Sequence, residues 1–437
     1  MNFDVLFARA KAKGIEDVQI YLVNRNELSI EVFDGELDKY EIADTTSLSI
    51  KGLYNKRMGS FSTEVLDDSL IDTIVDQLIA NASIIDSLDE AVIYAGDPEY
   101  KKLEGLYNPE LTNLDVAKKI EHVKALDKLF HDADPKVSIV ETMYSESTRT
   151  VILQNTKGLR LENKVNSAMI GGQIIVKDET DQRTSFDLAI SNDFADFDLN
   201  KIAKEAVTAG VRKLGAKPIP SKECEVILDK DALATLFSAY QNVFSAEAVQ
   251  KNLSLLKGKL GQTIGSSLVT VVDDPFMKKS SRSRSFDDEG VSTKYKALIE
   301  NGVLKTYLHN LTTAKKDGVE STGNGFGTSV AAVNLAILPG EHSYDELVSS
   351  IQDGLVITDL QGAHAGANPV SGDFSLQASG FVIENGKETK PVALITIAGN
   401  FLKLLSDVVA VGNDTKTGYY GITCPSIKLK GIQVSGI

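Results

Sequence analysis

Residues 362–386, GAHAGANPVSGDFSLQASGFVIENG, constrain the fold of this chain more than any other stretch. The first half gathers Gly362, Gly366, Gly372, Asn368, Pro369, Ser371 and Asp373, and the second turns at once into an apolar-rich strand over 374–383 followed by Asn385-Gly386. Glycine admits positive φ and close backbone approach, while Asn, Asp and Pro set turns. The pattern predicts a polar loop on a supporting strand, able to present main-chain donors to an extended ligand. The same residues also make an ordinary turn-rich surface loop.

At 437 residues the chain is too long for one core, and two or three domains are expected. Hydrophobic content of 42% and charged content of 24% are those of a globular protein. With 46 basic and 61 acidic residues the net charge is −15, which works against nucleic acid and anionic membrane as partners. Cys224 and Cys424 are too few and too far apart for a disulfide framework, in keeping with a reducing cytosol. Residues 1–14 carry no long apolar segment of signal-peptide type, and no run is long and apolar enough for a membrane-spanning helix. A cytoplasmic location is therefore expected.

Periodicity predicts an α+β chain of two domains, a mixed N-terminal domain over 1–216 and a strand-rich C-terminal domain over 223–437. Pro218 and Pro220 in KPIPSKE mark the seam. A helix over 3–13 is ended by Gly14, and alternating runs at 18–23, 28–33 and 46–53 read as a meander with a turn at Asp34-Gly35. Further helices are expected from Asp67, over 114–130, and from Asp198 to near Gly215, with strands filling 137–192. Past the seam come a strand at 223–228 and one long helical stretch over 231–256. Ser343 and Glu346 form a capping box for a helix that Gly354 can close, and Asn301-Gly302 and Asn385-Gly386 are hairpin signals.

The five histidines, His122, His131, His309, His342 and His364, include no pair at the close helical spacing that aims two imidazoles at one ion. His309 is expected in a strand; only His364, in the glycine-rich loop, merits attention, and no self-contained metal site is expected. There is no Gly-x-Ser-x-Gly elbow, and the glycine-rich run 323–327 lacks the Lys-Ser/Thr of a phosphate loop. The basic cluster KKSSRSRS at 278–285 is followed by Asp287, Asp288 and Glu289, which reads as a solvated, self-paired loop.

Three C-terminal blocks carry a resemblance. SRSRSFDDEGVSTKYKALIENGVLKTYLHNLTTAKKDGVESTGNG at 281–325, GANPVSGDFSLQASGFVIENG at 366–386 and VGNDTKTGYYGITCPSIKLKGIQVSG near the end resemble the TldD/PmbA family, whose members have been called modulators of DNA gyrase. TldD-type chains carry His-Glu-x-x-x-His on a helix plus a later cysteine as zinc ligands. The corresponding segment here is AEAVQK, 246–251, so Ala246 and Lys251 stand in the histidine places, Glu247 is the remnant of the motif, and the cysteine is missing. A methyl group cannot ligate zinc and a protonated lysine repels it. The chain therefore resembles the PmbA, or TldE, type.

That resemblance implies a non-zinc subunit of a TldD–TldE-type metalloprotease complex acting on flexible peptides. Zinc would reside in a TldD-type partner, none in this chain, and the chain in isolation would be a homodimer. It would contribute chamber and peptide-binding surface, by strand addition for example. Arg282, Asn324, His364, Asn368, Ser371, Gly372 and Asp373 are the expected substrate-binding residues. Turn formation and hydrogen bonding within the loops are the alternative role for these residues. Two other functions stay open: a stand-alone hydrolase around His364 and Asp373, and a regulatory protein acting through protein contacts.

Overall fold

The computed structural model describes residues 1–85 and 91–437, with helix and strand mixed in the α+β manner. The chain forms two compact units. One gathers residues 1–175, 185–207 and 278–293; the other gathers 176–184, 208–277 and 294–437.

The first unit is built on a six-stranded sheet. Helix α1 (Phe3–Ala12) is capped by the Asn2 side chain, and Gly14 follows it at φ +87°. Strands β1 (Asp17–Phe33), β2 (Glu36–Tyr54) and β3 (Arg57–Thr63) precede α2 (Ile71–Ser83), α3 (Pro109–Asn113) and α4 (Val116–Ala133). Then come β4 (Val137–Asn155), β5 (Arg160–Lys177), β6 (Gln182–Ser191) and α5 (Leu199–Arg212). The sheet order is β3-β2-β1-β4-β5-β6. The runs expected as separate strands at 18–23 and 28–33 are one strand. Ile20, Leu22, Leu28, Ile30 and Val32 keep the same parity across the polar middle, so the alternation never breaks phase.

Ile20, Leu22, Leu48 and Ile50 pack against Leu6 and Ala10 of α1 and Ile74, Val75 and Leu78 of α2. Each such buried aliphatic side chain contributes roughly 1.5–3 kcal/mol. Gly59 allows α2 to lie against β3: a Cβ there would stand 1.9 Å from the Leu78 carbonyl oxygen.

Residues 278–293 fold onto this first unit as a strap. Phe286 is buried among Val151, Leu153 and Leu159. Tyr100 Oη donates to the Gly290 carbonyl at 2.6 Å, the Ser292 amide donates to Asp97 Oδ2 at 2.7 Å, and Gln19 Nε2 donates to the Asp288 carbonyl at 3.2 Å. Within the basic cluster, Arg284 pairs with Asp288 at 3.2 Å and Lys279 pairs with Asp196.

The second unit centres on a closed barrel. Strand β7 (Lys222–Leu228) runs parallel to the strand Asp353–Gln361, which is followed around the ring by Asp373–Glu384 and Lys387–Asn400, both antiparallel to their predecessors. The strand Ile427–Ser435 pairs with β7 on one side and with 396–398 on the other, which closes the ring. A smaller sheet includes Val271–Asp273, Lys296–Glu300 and Leu335–Ile337. The hairpin at Asn301-Gly302 forms with both residues at positive φ, as do Asn385 and Gly386.

Three expectations are corrected here. The helical stretch over 231–256 is α6 (Lys230–Tyr240), a 3₁₀ turn Gln241–Phe244 and α7 (Ala246–Gln250). Ser245 adopts an extended conformation, its side chain accepts from the Ala248 amide, and the Ala246 amide is drawn to the Leu308 carbonyl at 2.9 Å. The helix begun by the capping box at Ser343 ends at Ser349, and Gly354 lies in the next strand, where a Cβ would stand 2.5 Å from the Glu225 carbonyl oxygen. His309 follows a single bridge residue, Leu308, and is not part of a strand.

Candidate functional site

The glycine-rich loop lies between two barrel strands. Gly362, at φ +79°, opens a single helical turn, Ala363–Gly366, that carries exposed His364. Residues 367–373 then close on themselves. The Asn368 side-chain oxygen accepts from the amides of Val370 at 2.9 Å and Ser371 at 3.3 Å, an Asx turn. The Asn368 amide donates to the Asp373 carbonyl at 2.9 Å and the Gly372 amide to the Asn368 carbonyl at 2.8 Å. The Asp373 amide donates to Ser371 Oγ at 3.2 Å. The main-chain donors of 368 and 370–373 are thus engaged inside the loop, and its exposed groups are side chains.

Neighbouring elements lock this geometry. Tyr240 Oη, at the end of α6, lies 3.0 Å from the carbonyl oxygens of both Gly372 and Asp373. Asn400 Nδ2 donates to the Ser371 carbonyl and to Asp373 Oδ1, each at 3.0 Å. Gly372 has φ +85°, and a Cβ there would meet Asn400 at 3.0 Å. The hydrogen bonds from Asn400 and Ser371 hold the Asp373 carboxyl below the usual carboxylate range. Burial, with Asp373 adding, pushes the Tyr240 hydroxyl up to about 12. Phe401 stacks on the Tyr240 ring at 4.2 Å. Sequence reasoning missed Tyr240 and Asn400; the Asn-Phe pair at 400–401, a helix-cap signature, was the available signal.

Beside the loop, where the strands 387–400 and 427–435 part, lies a groove of about 280 Å³. Phe374, Leu404, Leu429 and Ile432 form its apolar lining, with Asn400, Lys403 and Asp407 among its polar residues. Burial works to raise the Asp407 carboxyl, but its ion pairs with Lys403 and Lys430 prevail and lower it.

Asn324 is not in this cluster. It is fully buried and belongs to a separate polar network in the second unit. Its Nδ2 donates to Asp273 Oδ2 and to the Ala331 carbonyl, both at 2.8 Å. Its Oδ1 accepts from Lys296 Nζ at 3.0 Å and from Thr322 Oγ1 at 2.8 Å. Asp273 Oδ1 accepts from the amides of Val333 and Asn334 at 2.8 and 3.0 Å. Buried charge is tolerated when paired and fully hydrogen-bonded, and both conditions hold for Asp273. His309 lies alongside in the chain: its carbonyl accepts from Ser321 and Thr322, while its Nδ1 is buried without a partner. Burial depresses the His309 imidazole, opposed by Asp317 and by a backbone contact at Thr313. Arg282 lies exposed on the strap of the first unit, its amide donating to Ser280 Oγ at 3.3 Å.

The segment that the sequence resemblance sets against the zinc helix of TldD-type chains is α7. Ala246 is fully buried in the core of the second unit, and Glu247 pairs with Lys251 at 2.6 Å across one helical turn. Cys424 is buried, which pushes its thiol well up. These residues do not fit a zinc ion: a packed methyl, a carboxylate held by an ammonium and a thiol kept protonated supply no ligand set. Among the described residues no group of three or more His, Cys, Asp or Glu is arranged to hold a metal. Among them, too, no helix is long and apolar enough to cross a membrane.

Comparison with known proteins places these features. The chain is 37% identical to a proposed modulator of DNA gyrase from Thermotoga maritima, with a TM-score of 0.94 and 99% of each chain covered. It is 25% identical to TldE of Thermococcus kodakarensis, with a TM-score of 0.90 over 99% of this chain and 100% of that one. The metalloprotease PmbA of Escherichia coli O157:H7 is 25% identical over 435 residues, covering 98% of this chain and 94% of that protein. PmbA/TldA metallopeptidase domain 1 matches residues 18–82, the central domain 109–214 and the C-terminal domain 221–436. The chain belongs to the PmbA/TldA metallopeptidase family.

Proposed function

We propose that this chain is the non-zinc, TldE-like subunit of a cytoplasmic TldD–TldE-type metalloprotease complex that degrades flexible peptides. The observation that carries the reading is the state of α7. Where a catalytic chain needs two imidazoles and a free glutamate, Ala246 is packed into the core and Glu247 is neutralised by Lys251. Metal-activated water then comes from the TldD-type partner. This chain supplies enclosing surface and a peptide cradle. Its exposed Asn368, Ser371 and Asp373 side chains and the adjacent apolar groove suit an extended peptide held by side-chain contacts. Without its partner it pairs with a second copy of itself.

The test is elemental analysis of the purified, untagged chain after dialysis against zinc, joined to a peptide-cleavage assay with and without a TldD-type chain. We expect no stoichiometric zinc and cleavage only in the mixture. One bound zinc per chain, or cleavage by this chain alone, would overturn the assignment.

A further inference from the structure

In a chain of net charge −15, a concave site in the first unit is lined by three lysines. Lys101, Lys102 and Tyr107 come from the segment before α3, Glu162 and Lys164 from the start of β5, and Ser285 from the strap. The space between them is about 320 Å³, enough for one or two acidic side chains and the backbone that carries them.

Its wall is firmly built. Asn166, almost fully buried, donates from Nδ2 to the Asn108 carbonyl at 2.7 Å and accepts from the Asn108 amide at 2.8 Å. The Asn166 amide donates to the Leu106 carbonyl at 3.0 Å, and buried Asn192 donates to the Gly105 carbonyl at 2.7 Å. Gly105 turns the segment at φ +73°. Lys164 Nζ lies 3.9 Å over the Tyr107 ring, which positions the ammonium while leaving its hydrogen-bond donors available. Among the described residues neither Lys102 nor Lys164 is in an ion pair with a carboxylate, although acidic residues outnumber basic ones in the chain.

The geometry points to a recognition site for an acidic segment of an extended peptide, formed by Lys101, Lys102 and Lys164 in the first unit. Nucleic acid is disfavoured as occupant: it needs a long basic track, whereas this site is a single pocket bordered by Glu162 on an acidic protein. The inference rests on the peptide-handling reading above and adds the class of peptide that would be preferred. A carboxylate on a peptide and a free inorganic anion share the required chemistry, so the experiment separates them.

The measurement is fluorescence anisotropy of a labelled short Asp/Ser peptide on the purified full-length chain, with Asn/Ser and Lys/Ser peptides of equal length beside it. We expect the acidic peptide to bind most tightly and to weaken with added salt. Lys102→Ala with Lys164→Ala should weaken it by about tenfold or more. The corresponding double arginine variant should retain binding, and Lys201→Ala with Lys204→Ala on α5 should leave it unchanged. Equal affinity for the Asn/Ser peptide, or full retention by the double alanine variant, would overturn the proposal. So would binding of inorganic phosphate that depends on these lysines without any binding of the acidic peptide. No partner is present in this experiment, so loss of the acidic preference is distinguishable from failure of the subunit reading, which shows only in zinc content and cleavage.

Discussion

Replacing Asn324 by alanine separates a bracing role from a ligand-binding one. The side chain makes four hydrogen bonds, to Asp273, Ala331, Lys296 and Thr322. After truncation Lys296 and Asp273 still hold one another at 3.1 Å, and Thr322 keeps the His309 carbonyl at 3.1 Å. The Ala331 carbonyl and one acceptor position of buried Asp273 lose their donor. A buried neutral hydrogen bond is worth about 1 kcal/mol and one to a charged group about 1.5–3 kcal/mol, so with the retained partners the cost is about 3 kcal/mol. For a body of roughly two hundred residues that corresponds to a fall of about 6–12 °C in melting temperature. The second unit is followed specifically by amide exchange over 321–334, because a chain with two units need not unfold in one step. Affinity for a flexible peptide should be unchanged. A variant that melts like the parent but binds peptide weakly would refute the bracing argument and restore Asn324 to the ligand site.

Two further outcomes are expected. Phe286→Ala removes the side chain that seats the strap among Val151, Leu153 and Leu159, at a cost of about 3–5 kcal/mol; trypsin should then cut at Lys278, Lys279, Arg282 or Arg284 much faster, and an unchanged cleavage rate would show that the strap is held elsewhere. Asn400→Ala should raise the Asp373 titration toward the ordinary carboxylate range, because its hydrogen bond is the largest cause of the depression. A depressed carboxyl stabilises the loop above its unfolded value, and the contribution is lost as pH falls through the folded value. The acid-induced loosening of residues 367–373, followed by NMR, should therefore be smaller in the variant, whose loop already lacks that contribution at neutral pH; identical titrations would show that the Asn400 contact does nothing.

Much of the architecture was legible because local chemistry and tertiary fold agree. Gly14, Asp34-Gly35 and both Asn-Gly pairs act in the structure as their residue types require. The break at Ser245 was invisible, since Leu236, Phe237, Tyr240, Val243 and Phe244 are all buried and their periodicity runs through it. The strap was invisible for a different reason. Its residues read as a solvated, self-paired loop; Arg284 does pair with Asp288, but Lys279 pairs outside the segment with Asp196, and Ser283 and Asp287 are buried with Phe286. Only Phe286 carries its destination, and one aromatic does not name a partner. At the candidate site, residue types marked the loop but not the direction of its donors. Asn368 and Asn324 look alike in sequence, yet one is exposed in a turn and the other is buried with its amide engaged on both sides.

The strap also sets an order of events in synthesis. Val151 and Leu153 emerge from the ribosome more than a hundred residues before Phe286, which covers them in the finished unit. Until residue 293 has been made, the first unit lacks one of its own walls and holds an apolar face open. Chains cut before residue 278 should therefore be poorly soluble even though they contain the whole six-stranded sheet, and a useful boundary for expressing that unit alone must carry the strap with it, joined by a linker.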